Sequence, residues 1–250
     1  MNRRIVMLTA VLGLVAAGAQ KKEDGPQPTV VNPAGAGGVP SDATVLFDGT
    51  HLSNWVQSDG APAEWTLQDG AMVCRTGTGD LHSRLKFRSA QIHLEFNVPP
   101  MPEHKGQARG NSGVMLHARG NEIQILDSFQ NPTYADGACG GFYGVAPPLV
   151  NACRRPGEWQ TYDIVYRAPA CGPGGQVKTP GSLTVLLNGV LVQDQTPAAP
   201  RNGCLEEGPL ILQDHNGFGG RRVPPSTPMK APITPVRFRN IWLRMLPAAG

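Results

Sequence analysis

The sequence predicts an all-β protein built from two antiparallel sheets, packed as a sandwich or closed into a barrel. Three observations carry this. Short stretches that alternate apolar and polar residues recur at regular spacing from Ala43 onward. Asp69-Gly70 and Asn188-Gly189 each join two such stretches, and these dipeptides supply the positive φ angles of tight hairpin turns. Glycine (31) and proline (24) together exceed a fifth of the 250 residues, and no segment shows a long helical period.

In chain order, residues 1–19 read as a signal peptide: Arg3 and Arg4, an apolar run, then small residues ending in Ala17-Gly18-Ala19. The apolar run is too short to span a bilayer as a helix, so no stable membrane insertion is expected. Ala19 stands where a lipoprotein would carry its lipid-bearing cysteine. The expectation is therefore export by simple cleavage, to the periplasm or medium, with a mature chain beginning near Gln20. Residues 20–42 are polar and then rich in Gly, Pro and Ala, with too little apolar surface to fold, and read as a flexible tether. A single large domain fills 43–250. Its strands run from "EWTLQDGAMVCR" through "AQIHLEFNV", "GNSGVMLHA", "NEIQILDS", "EWQTYDIVYRA", "SLTVLLNGVLVQDQ" and "GPLILQDH" to "PVRFRNIWLRML". Long loops are predicted at 145–157 and 216–234, and long loops in a compact domain tend to carry function.

Charge is low, with 16% Asp, Glu, Lys and Arg and a formal net charge of +3, of which Arg3 and Arg4 leave with the signal peptide. That excludes the basic footprint of a nucleic-acid binder. Five cysteines lack any C-x-x-C spacing, which argues against a zinc ribbon. Cys171 and Cys204 lie in glycine-rich loops flanking one hairpin and are expected to pair in an oxidising compartment. The odd count leaves at least one free thiol.

The stretch "EIQILD" (122–127) locates the candidate site. If it is a strand, Ile123 and Ile125 face a core while Glu122, Gln124 and Leu126 share the other face. The same parity argument gathers His93, Glu95, Asn111, His117, Gln213 and His215 with Glu122 and Gln124 on one polar face. A plain solvent face is also polar, but it favours Lys, Thr and Ser. This set of His, Gln, Glu and Asn suits hydroxyl recognition and proton transfer. Glu122 and His215 are the candidate catalytic residues. Gln124, Gln213, Asn111, His93, Tyr143 and Asp127 are the candidate substrate-binding residues. Asp127 and Ser128 also suit a turn cap, and the four tryptophans suit the core.

The segments "LFDGTHLSNW", "GNSGVMLHARGNEIQILDSF", "TYADGACGGFYG", "NACRRPGEWQTYDIVYRAP", "LNGVLVQD", "LQDH" and "VRFRNIWLR" resemble, in order and spacing, the 3-keto-disaccharide hydrolase domain family. The likeness spans about residues 43–246. It implies a concanavalin A-like jelly roll of two antiparallel sheets, an oligosaccharide or glycoside substrate, and cleavage of glycosides already oxidised to a ketone at C3. In related glucanases the strand equivalent to "EIQILD" holds the catalytic acids at alternate positions, whereas this chain keeps only Glu122. An oxocarbenium route needs two carboxylates. A C3 ketone removes that need, because it acidifies the C2 hydrogen. One base, one acid and a stabiliser of the enolate then suffice for β-elimination, followed by hydration. The same fold also makes lectins, so a non-catalytic carbohydrate-binding module is the alternative. Jelly rolls of this kind often bind a structural calcium, and Asp127 and Asp136 offer carboxylates, but their spacing matches no calcium motif. No cofactor or metal is expected. The chain departs from the family pattern at residues 216–234, an insertion next to His215 placed to lid the cleft. It departs again at Ile211, where a polar or basic residue is frequent, and at Cys153, where serine is usual.

Overall fold

A computed structural model of the protein describes residues 27–33, 38–198, 204–205 and 207–247. The signal-peptide reading at 1–19 and the first part of the tether lie outside these residues. Among the described residues no helix is long and apolar enough to cross a membrane. From Asn32 onward the chain forms one unit.

The strands in chain order are β1 (Thr44–Phe47), β2 (Trp55–Gln57), β3 (Thr66–Gln68), β4 (Ala71–Val73), β5 (Leu81–Phe87), β6 (Ala90–Asn97), β7 (Ser112–Leu116), β8 (Glu122–Ile125), β9 (Gln160–Arg167), β10 (Ala170–Cys171), β11 (Val177–Thr179), β12 (Gly181–Leu187), β13 (Val190–Ala198), β14 (Gly208–Leu212) and β15 (Arg237–Met245). One sheet has the order β13-β12-β9-β6-β15-β4-β3, with β1 also paired to β15. The second has the order β2-β5-β14-β7-β8. All pairings are antiparallel, and β10 and β11 form a separate ribbon. This is the jelly-roll sandwich that the sequence predicts.

Alternation sets which side chains enter the space between the sheets. In β6, Ile92, Leu94 and Phe96 are buried in one core with Ile123 and Ile125 of β8 and Leu210 and Leu212 of β14. Each such side chain stabilises by roughly 1.5–3 kcal/mol on burial. Phe87 of the smaller sheet meets Tyr166 of the larger edge-on, ring centroids 6.3 Å apart. The Tyr162 hydroxyl crosses between the sheets to donate to the Gln124 carbonyl at 2.5 Å. Both predicted hairpins form. Asp69 and Gly70 take φ of 50° and 70°, and Asn188 and Gly189 take 54° and 79°.

Several expectations are corrected. His93 and Glu95 lie on β6, in the eight-stranded sheet, while Glu122 and Gln124 lie on β8 in the other. Parity assigns a side chain to a face but does not say which sheet its strand joins. His117 also leaves the polar face. It follows the end of β7 with φ of 66°, so alternation no longer applies, and its ring packs between Phe87 and Tyr166. Leu126 lies one residue beyond β8 and turns into the core. Trp55 and Trp65 are core residues, but Trp242 stacks on His93 on the larger sheet, 5.2 Å between centroids, and is not part of the central cluster. Cys171 and Cys204 form the expected disulfide, while Cys74, Cys139 and Cys153 are free thiols.

Candidate active site

The face of β8 turned away from the core carries Glu122 and Gln124. Opposite them in the ladder stand Met115 and Gly113 of β7. Gly113 is small for a reason: a Cβ there would collide with the Glu122 carboxylate, so the acid lies flat across the neighbouring strand. Beyond β14 the same parity brings Gln213 and His215 to this face, held by the bond from Gln213 N to Gly113 O at 3.0 Å. Asn111, just before β7, completes the row. Its Nδ2 donates to Gln107 O at 2.9 Å. Gln124 Nε2 donates to Gln107 Oε1 at 2.9 Å; turned over, the amide would donate to Glu122 instead, but its oxygen would then face the Gln107 oxygen. Tyr143 enters because residues 140–143 pair with the free edge of β8, Tyr143 N donating to Glu122 O at 2.9 Å. Its hydroxyl meets that of Tyr134 at 2.7 Å.

These six candidates, Glu122, Gln124, Asn111, Tyr143, Gln213 and His215, line one cavity of about 290 Å³. Arg119, Asp214, Asn216, Gly217, Gly219 and Gly220 complete it. The last four belong to the 216–234 insertion, so this segment does form part of the wall. Burial, and then the Arg119 charge, lower the pKa of His215 from its ordinary value near 6.5. Its Nδ1 is buried with no hydrogen-bond partner in the structure. A neutral imidazole lining a cavity is equipped to accept a proton.

The second carboxylate of the cavity, Asp214, is committed elsewhere. It is fully buried and accepts from the amides of Gly77 and Gly79 at 2.7 and 2.9 Å and from Asn216 Nδ2 at 3.0 Å. Below Arg119 lies Asp80, 2% exposed. Its Oδ2 accepts from Arg119 Nε at 2.7 Å and forms an ion pair with Nη2 at 2.6 Å, and its Oδ1 accepts from Asp214 N at 2.8 Å. Burial pushes the Asp80 carboxyl up to about 7, with Arg119 and the Asp214 amide pulling against it. Those bonds all run to acceptor lone pairs, so the geometry serves the ionised form.

Two sequence candidates lie apart from this cavity. His93 Nδ1 meets Asp163 Oδ1 at 2.7 Å on the larger sheet, beside Trp242 and Asn240. Asp127 is 1% exposed and pairs with Arg109 at 2.7 Å while capping the Phe129 amide at 3.1 Å. Its turn-cap reading is what the structure bears out. Arg119 and Asp80 were missed because both lie where parity is weakest, in a hairpin loop and just before β5. The signal available was charge: Arg119 is the one Lys or Arg between Arg109 and Arg154.

Residues 42–244 match the family of 3-keto-alpha-glucoside-1,2-lyase-like domains. The chain belongs to this family. The solved structure of a candidate glycosyl hydrolase from Parabacteroides distasonis is similar to this lyase-like domain at 38% identity and a TM-score of 0.78, covering 90% of this chain and 95% of its own. Two more candidate glycosyl hydrolases from that organism, each 19% identical, share the fold with TM-scores of 0.59 and 0.55. They cover 82% of this chain and 94% and 99% of their own. None of the curated proteins compared with the chain matches it. The lyase-like domain is thus a carbohydrate-active protein of glycosyl hydrolase-like type.

Proposed function

We propose that the protein is an exported enzyme that cleaves the glycosidic bond of 3-keto-glycosides by elimination, with hydration of the product. The observation that carries this is the presence of a neutral His215 and of Glu122 in the lining of one cavity whose other carboxylate, Asp214, is consumed by loop amides. Two free carboxylates are what an ordinary glycosidase requires. A 1,2-elimination requires a base and an acid. In the proposed reaction His215 takes the C2 proton and the C2–H electron pair moves into a C2=C3 bond, placing the carbonyl pair on the C3 oxygen. The carbonyl then re-forms, C1=C2 forms, the C1–O bond breaks, and the departing oxygen takes a proton from Glu122. Gln124, Gln213, Asn111 and Tyr143 offer hydrogen bonds to the remaining sugar hydroxyls. The description of the family to which the chain belongs, 3-keto-alpha-glucoside-1,2-lyase-like domains, supports this reading.

The test is incubation with 3-keto-trehalose beside trehalose, with products followed by mass. Only the ketone should be cleaved. His215→Ala and Glu122→Gln should each lower turnover by at least about 100-fold with the fold intact. A C2 deuterium should be lost to solvent. Full retention of that label would exclude elimination, and normal turnover in both variants would return the protein to a carbohydrate-binding module. Export is checked by N-terminal sequencing of the mature protein, expected to begin near Gln20 without lipid.

A further inference from the structure

An enolate forming at the C3 oxygen needs a partner for its charge, and neither His215 nor Glu122 supplies one. Arg119 is the only Lys or Arg among the described residues lining the cavity. It arrives from the loop between β7 and β8, beside Glu122. Asp80 grips its guanidinium from below through Nε and Nη2. The other oxygen of the same carboxylate holds the Asp214 amide, one residue before His215. One buried anion therefore fixes both the cation and the backbone that carries the base. From above, the insertion lies directly on this pair. A Cβ at Gly220 would collide with both Arg119 and Asp80, and Gly220 O accepts the Asp80 amide at 2.9 Å.

We propose that Arg119 binds the C3 carbonyl oxygen of the substrate and holds the enolate oxygen as the C2 proton leaves for His215, with Asp80 as its positioning residue. This rests on the elimination reading above. A plain ion pair closing a hairpin onto a neighbouring loop would need neither a place in the cavity wall nor a lid of glycines over it. A sugar hydroxyl is served by neutral donors such as Gln124 and Gln213, whereas an oxyanion in a partly desolvated pocket gains most from a fixed cation. The proton goes to His215, the electron pair to the C3 oxygen and then to the leaving oxygen, so no oxidant, reductant or further reactant is required.

The experiment compares wild type, Arg119→Lys, Arg119→Gln, Asp80→Asn and His215→Ala on methyl 3-keto-α-glucoside and 3-keto-trehalose, with C2 solvent exchange followed by NMR. Arg119→Gln should lower kcat by about 100-fold or more, in the range seen when an oxyanion donor is removed, with a much smaller change in KM, and should abolish C2 exchange along with cleavage. Added guanidinium should restore part of the rate in an Arg119→Ala background. The acid limb of kcat/KM should move up towards 6.5 in Arg119→Gln, because the charge that helps lower His215 is gone. Arg119→Lys keeps the charge and one contact to Asp80, so it guards against loss of the fold and should retain an intermediate rate. Asp80→Asn should lower kcat less than Arg119→Gln does. If wild type is active and His215→Ala inactive while Arg119→Gln keeps full kcat and C2 exchange, the assignment falls and the elimination reading stands. If wild type cleaves neither ketone, both fall together.

Discussion

Gly113 shows how much of the site depends on an atom that is missing. The residue has an ordinary extended backbone, so alanine there is not strained by φ; its Cβ would instead meet the Glu122 carboxylate. The end of a glutamate can move, so Gly113→Ala is expected to shift the thermal midpoint by no more than a few degrees. Displacing an acid by about 1 Å can cost about 100-fold in rate, and that is the loss expected in kcat/KM. Unchanged kinetics in a folded Gly113→Ala would show that Glu122 has no fixed position to lose. His215 makes a separate claim about pH. Its folded pKa lies below 6.5, so the base form persists through neutrality and kcat/KM should be flat there, with its acid limb below 6.5. The linked effect on stability has the same direction. As pH drops below 6.5 the unfolded chain takes up a proton that the folded site resists, so stability is full above 6.5 and declines on acidification. His82 and His117, also lowered by burial, act with the same sign. Urea midpoints measured from pH 8 to 5 should fall, and the fall should be smaller in His215→Gln.

Hairpins of the same type can differ in worth. Asn188 not only adopts the positive φ of its turn but also receives the Thr161 amide on Oδ1 at 3.0 Å and donates from Nδ2 to Ala152 O at 2.8 Å. It thus ties the β12–β13 turn to β9 and to the loop before it. Asp69 makes a similar turn between β3 and β4, where β3 is wholly exposed. Asn188→Ala is expected to cost about 1–3 kcal/mol from the turn and its buried bonds, and Asp69→Ala distinctly less, as read from paired denaturant titrations. Equal losses would mean that the turns alone matter. Both hairpins, and every strand that alternates cleanly, were legible in the sequence, because period and turn chemistry are local. The division of strands between two sheets was not. Nothing in "AQIHLEFNV" says that β6 pairs with β9 and β15 and not with β7, so His93 and Glu95 were grouped with residues on the other side of the core. The cavity lining was legible where strand parity held, as at Glu122 and Gln124 on β8 and Gln213 just past β14. It was opaque where a loop such as that of Arg119 reached in from outside the pattern.

At the scale of the molecule, one covalent tie joins β10 to the segment that leads into β14, with 33 residues of sequence separation. Loop-closure entropy for a ring of that size corresponds to roughly 2–4 kcal/mol. A Cys171→Ser, Cys204→Ser double variant is therefore expected to unfold at lower denaturant by that amount while keeping its rate on a 3-keto-glycoside, since neither cysteine lines the cavity. A loss of rate without loss of stability would contradict this. The order of the smaller sheet has another consequence. β8, which bears Glu122 and Gln124, is its last strand, and a terminal strand offers unpaired backbone to any neighbouring chain. Here that ladder is occupied from within. Gln124 N donates to Gly141 O at 2.9 Å, Gly140 N to Gln124 O at 3.0 Å, and Tyr143 N to Glu122 O at 2.9 Å. Gly141 has no room for a side chain against the carbonyls of Asp136 and Ala138, and Gly140 holds φ of 83°. The segment that brings Tyr143 to the cavity thus also covers the edge of the sheet, so the cavity wall and the sheet's closed edge lean on the same two glycines.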